Sequence, residues 1–80
     1  MRVCVTKEDI KNAQSTRDRC PIARAIHRMG FFRARVSVCF IALDGEFAGL
    51  SMRRLPKKAR DFVFLFDRGE EVKPFTFHLR

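Results

Sequence analysis

Eighty residues with 17 Lys and Arg against nine Asp and Glu carry a formal net charge of +8, and 46% of them are hydrophobic. A chain of this length makes one small domain (1–80) with a modest core, and its apolar content excludes a disordered tail. Three widely spaced cysteines exclude a dense disulfide scaffold, and neither an apolar leader nor a run of about eighteen apolar residues is present.

In chain order, Val3 and Val5 alternate with Arg2 and Cys4, which predicts a short strand. Thr6, followed three residues later by Asp9, predicts a helix start closed by a capping box. The polar stretch 12–19 ends that helix early. A second helix is expected to start here, capped by Asp18 or Cys20, because Pro21 is tolerated only in a first turn. Ile22, Ala25, Ile26 and Met29 recur at helical spacing as its buried face, and Gly30 stops it.

Phe31 and Phe32 then lead into an expected strand. Ala34, Val36, Val38 and Phe40 take one of its faces, Arg33, Arg35, Ser37 and Cys39 the other. Asp44-Gly45 predicts a hairpin turn, and 46–50 the returning strand, with Gly49 at a bulge or an end. Leu55, Ala59, Phe62, Val63 and Phe66 form the stripe of an amphipathic helix that Gly69 closes. Residues 72–79 alternate again, with Phe75, Phe77 and Leu79 inward and Thr76 and His78 outward. Pro74 confines that strand to a sheet edge or to its first residues. The order is βαββαβ-like. It predicts an α+β domain with an antiparallel sheet of about four strands and helices packed on one face.

Little in this pattern points to chemistry. Cys20 and His27 share the outer face of the second helix, but seven residues separate them by about 10.5 Å along its axis. That excludes a thiol–imidazole dyad within the helix. Cys20, at a helix start near Arg17, Arg19 and Arg24, is the cysteine expected to be most reactive, the plainer reading being an inert thiol. Cys4 and Cys39 read as small packing residues. The cysteines are too far apart for the close ligand pairs of zinc, and the isolated glycines form no phosphate loop. No catalytic residue, cofactor or metal is therefore expected.

The charge is clustered. Residues 17–35 hold six arginines (Arg17, Arg19, Arg24, Arg28, Arg33, Arg35) and one aspartate, with Arg24 and Arg28 expected as neighbours on the outer face of their helix. Arg53, Arg54, Lys57, Lys58 and Arg60 form a second basic run, after which 61–71 turn acidic. Phe64 falls opposite the Phe62/Phe66 stripe, among cations, which suits a binding anchor or a dimer contact. The candidate binding residues are Arg17, Arg24, Arg28, Arg33 and Arg35, then Arg53, Arg54, Lys57, Lys58, Arg60 and Phe64. Guanidinium-rich patches suit phosphate or carboxylate partners. The stretch 46–50 departs from the aromatic pattern by which RNA-recognition sheets read single strands, so that module is not expected.

The segments VTKEDI, CPIARAI, LPKKARDFVFLFD and VKPFTFHL span most of the chain and resemble small phage and prophage proteins. The resemblance implies a mobile-element origin and a cytoplasmic place of action in a bacterial host. It carries no catalytic residues. It also implies a protein that inhibits host machinery by binding it, as anti-CRISPR proteins do. Many of those mimic DNA with acidic surfaces, which a net charge of +8 rules out. The expected partner is instead a host protein or nucleoprotein complex, met through Arg-rich patches by a monomer or a homodimer, with no membrane involved. The alternative is a small basic regulator that contacts nucleic-acid phosphates directly. An enzyme using Cys20 stands third.

Overall fold

The computed structural model describes residues 1–46 and 51–79. The order is β1 (Arg2–Val5), α1 (Lys7–Lys11), α2 (Pro21–Arg28), β2 (Arg35–Val36), β3 (Phe40–Ala42), β4 (Met52–Arg54), α3 (Lys57–Asp67) and β5 (Phe75–His78). The fold is α+β, as the pattern predicts. The sheet is not.

Two small antiparallel sheets replace the single expected sheet of about four strands: β1 pairs with β5, and β2, β3 and β4 form the other in that order. The expected strand through 34–40 is folded back on itself. Ser37 N–H donates to the Phe40 carbonyl at 2.8 Å, and Phe40 N–H donates to Ser37 Oγ at 3.1 Å. This tight turn sets Val36 against Ile41 and Arg35 against Ala42. Strands of two or three residues then pair only with each other. Val38, at the turn, is 55% exposed rather than inward, and Phe40 is exposed too.

Asp44-Gly45 does turn, with Gly45 at φ +87° and its N–H bonded to the Ala42 carbonyl. Of the expected returning strand 46–50, Glu46 is outside any strand and 47–50 lie outside the described residues. The segment that pairs back is β4, with Arg53 opposite Ile41.

The helix starts follow from their caps. Asp9 N–H donates to Thr6 Oγ1 at 3.2 Å while Thr6 N–H donates to Asp9 Oδ2 at 2.9 Å, the reciprocal pair of a capping box. Cys20 caps α2 by accepting the Ala23 N–H on its sulfur at 3.4 Å, and Pro21 occupies the first turn. α2 buries Ile22, Ala23, Ala25 and Ile26. Met29 does not join them: it follows the last helical residue and is 41% exposed.

One cluster makes the core, running from Val3 and Val5 through Ile22 and Ile26 to Val36, Ile41, Leu55, Phe62, Val63, Phe77 and Leu79. α2 packs on β1 of one sheet and β2 of the other, so its apolar face joins them. The stripe on α3 faces inward as predicted, and Phe62 stacks on Phe75 of β5 at 4.6 Å between centroids. Pro74 immediately precedes β5, which has one neighbouring strand. Among the described residues no helix is long and apolar enough to cross a membrane.

Candidate anion-binding cleft

Arg24 and His27 stand one turn apart on α2 and look away from the core. Gly30, at φ +106°, ends the helix and turns the chain back, so Phe32 and Arg33 run beside it. His27 donates its Nε2 proton to the Ala34 carbonyl at 2.8 Å, which ties the start of β2 to α2. Val36 N–H donates to the Arg17 carbonyl at 2.7 Å, holding the 12–19 segment alongside. Between these pieces lies a cleft of about 690 Å³, lined by Asn12, Gln14, Asp18, Arg19, Arg24, His27, Phe32, Arg33, Ala34, Arg35 and Gly45. Gly45 allows the loop after β3 to close against it, since a Cβ there would stand 2.7 Å from the Arg33 carbonyl oxygen.

Four arginines and one carboxylate line this cleft. The Asp18 carboxyl is held below its ordinary range, first by the Thr16 hydroxyl that donates to it at 3.1 Å and then by its own backbone N–H. Arg19 and Arg35 add to the effect. Asp44, near Arg33, is lowered in the same direction by the Ser51 hydroxyl and the Glu46 N–H. Both acids are therefore ionised at neutral pH and offset part of the positive field without cancelling it.

Arg24 differs from its neighbours. Its Nε is sealed from solvent and has no hydrogen-bond partner among the described residues. A buried donor left unmatched costs about 1–3 kcal/mol, more when it belongs to a charged group. At the edge of the same cleft Phe32 is 80% exposed, the most exposed of the large apolar side chains described.

A second groove, of about 710 Å³, runs between the start of α3 and β5, lined by Arg54, Leu55, Pro56, Lys57, Lys58, Arg60, Thr76, Phe77 and His78. α3 begins without a side-chain cap and with no acid in its first turn, so its cations stand where the helix dipole is also positive. Lys57 pairs with Asp61 at 3.1 Å, and Lys58 donates to the Thr76 carbonyl at 3.0 Å.

Of the candidates drawn from the sequence, Arg24, Arg33 and Arg35 come together in the cleft, and Arg54, Lys57, Lys58 and Arg60 in the groove. Arg17 lines a smaller hollow of about 230 Å³ with Cys20, Val38, Val63 and Asp67. Arg53 is half-buried and donates to the Met52 carbonyl. Phe64 is 54% exposed as expected, and the cation over its ring is Arg68, at 5.2 Å.

Arg28 is half exposed on the outer face, but it is also engaged within the protein. Its guanidinium donates to both Asp9 oxygens at 3.0 Å and to the Cys4 carbonyl at 2.9 Å, pinning α2 to α1 and β1. Arg19 and Phe32 were not among the candidates. Arg19 belongs to the same basic run and could have been added on that ground. Phe32 carried no signal, because an exposed phenylalanine looks like a core one in sequence.

Burial favours the plainer reading of Cys20 and departs from the packing expected of Cys4 and Cys39. Cys20 is buried, and burial pushes its thiol up to about 11, so it is not the most reactive of the three. Cys4 and Cys39 are exposed instead of packed, with the Thr76 hydroxyl donating to the Cys4 sulfur at 3.6 Å. Among the described residues no three His, Cys, Asp or Glu side chains gather as a metal site. No protein family, curated protein or solved structure matches the chain.

Proposed function

We propose that this chain is a non-enzymatic, phage-type interaction protein that docks its arginine-lined surface on a host nucleoprotein complex and so blocks it. The observation that supports the reading is the lining of the cleft: Arg24 stands there with three other arginines against one carboxylate. Guanidinium groups present flat forks of donors that match phosphate and carboxylate oxygens, and a nucleoprotein complex displays both.

A second reading draws on the groove, where Arg54, Lys57, Lys58 and Arg60 gather at the start of α3. On that reading the protein is a small regulator that contacts the phosphates of free nucleic acid.

Affinity isolation from a bacterial host, with the captured subunits and nucleic acid both identified, tests the first reading. A defined nucleoprotein complex should be held by the wild-type chain and lost with the double variant Arg24→Glu, Arg33→Glu. Bare DNA or RNA bound as tightly as the complex, with a steep loss of affinity on adding salt, would establish the second reading instead. Unchanged capture by the double variant would remove the cleft from the interface.

A further inference from the structure

We infer that the cleft beside α2 seats a phosphate of an unpaired nucleotide, with its base stacked on Phe32, so that the protein reads single-stranded nucleic acid in its partner. This rests on the proposed docking to a nucleoprotein complex and names what the cleft would take there. Three observations carry it.

The first is charge placement. Arg24, Arg33 and Arg35 line the cleft with Arg19, and the one carboxylate among the lining residues, Asp18, is ionised. Four cations against one carboxylate leave the cleft with a positive excess that draws a phosphate in. The second is Phe32. A ring 80% exposed makes little contribution to the core, yet it sits on the turn that forms the cleft edge. Stacking a base on such a ring is the recurring way proteins hold single strands, because every base offers a π-face whatever its sequence. In a duplex those faces are occupied by neighbouring bases. The third is size and lining. About 690 Å³ lies within the range of small-ligand sites, and the lining includes Asn12 and Gln14, whose amides are of the type that pairs with base edges.

Phosphate contact without stacking would hold duplex and single strand alike. Stacking without Arg24 would leave an apolar lip with no reason to be ringed by arginines. The two together select an unpaired, phosphate-flanked base.

The test measures fluorescence anisotropy of labelled oligothymidylate, oligouridylate and a DNA duplex with the same number of phosphates. The proteins are the wild type, Phe32→Leu, Arg24→Gln and the groove variant Arg54→Gln, each checked for an unchanged circular dichroism spectrum and melting temperature. The single strands should bind more tightly than the duplex. Phe32→Leu should weaken single-strand binding about ten-fold and leave the duplex unchanged. Arg24→Gln should weaken both and reduce the salt slope by about one, with Arg54→Gln having the smaller effect. The relative strength of the two single strands tells whether DNA or RNA is preferred.

Equal binding of single strand and duplex, unaltered by Phe32→Leu, overturns the inference and leaves docking through phosphates standing. No oligonucleotide binding, with a host complex still captured through Arg24, also overturns it and assigns the cleft to an acidic protein surface. Failure of both oligonucleotide binding and host capture removes the proposed function as well.

Discussion

Arg24 and Arg28 are one helical turn apart, of the same type, and opposite in role. Arg24 lines the cleft with an unmatched Nε, whereas Arg28 holds the buried carboxylate of Asp9. Replacing Arg28 by alanine strands that carboxylate, a fault that costs several kcal/mol at fully buried sites. Because the Arg28 side chain is itself 49% exposed, Arg28→Ala should lower stability by about 2 kcal/mol in urea unfolding while leaving nucleic-acid binding unchanged. Cys20 gives a prediction in pH. Burial raises its thiol from the ordinary 9.0 to about 11, which favours the neutral form in the folded state. Its contribution is therefore fully present below pH 9 and is lost as the pH rises through 11. Unfolding free energy should fall by about 2–3 kcal/mol across that window, and Cys20→Ser, which keeps a capping atom, should remove this part of the slope. Neither role could be read from a helical wheel. Asp9 lies nineteen residues before Arg28, and the cover over Cys20 includes residues from other elements.

Among the elements, those with an apolar stripe at helical spacing were legible and the strand after α2 was not. The α3 stripe from Leu55 to Phe66 packs as predicted because each residue is placed by its neighbours one turn away. Alternation through 34–40 suggested one strand, but the chain turns at Val38-Cys39, residues with no turn preference. What holds that turn is the Ser37 hydroxyl accepting from Phe40 N–H, an interaction available only once β3 has folded back. The Asp44-Gly45 turn was legible because its glycine meets a local backbone demand. Gly45→Ala adds a Cβ 2.7 Å from the Arg33 carbonyl oxygen at φ +87°, so it should cost about 2 kcal/mol or more in thermal or urea unfolding. Gly69→Ala, at φ +77° with nothing within 4 Å, is the matched comparison and should cost about 1 kcal/mol.

At the scale of the molecule, the basic run 17–35 does not form one surface. It divides into a cleft (Arg19, Arg24, Arg33, Arg35), a half-exposed pin on Asp9 (Arg28) and the wall of a small hollow (Arg17). The two sheets meet through α2, and the cleft lies where α2, the end of α1 and the turn into β2 come side by side. By itself the sequence determined the α+β class, the capping box at Thr6, the proline in the first turn of α2, the stripe on α3 and the positive excess. Each of these depends on residues within about one turn of one another, or simply on the count of charges. Only the tertiary structure decided that there are two sheets, that Cys20 is buried, that Arg28 pairs with Asp9 and that Phe32 stands at a cleft edge. Burial and ion pairing are set by groups distant along the chain, and the same arginine is a pin or a binding group according to which of them it meets.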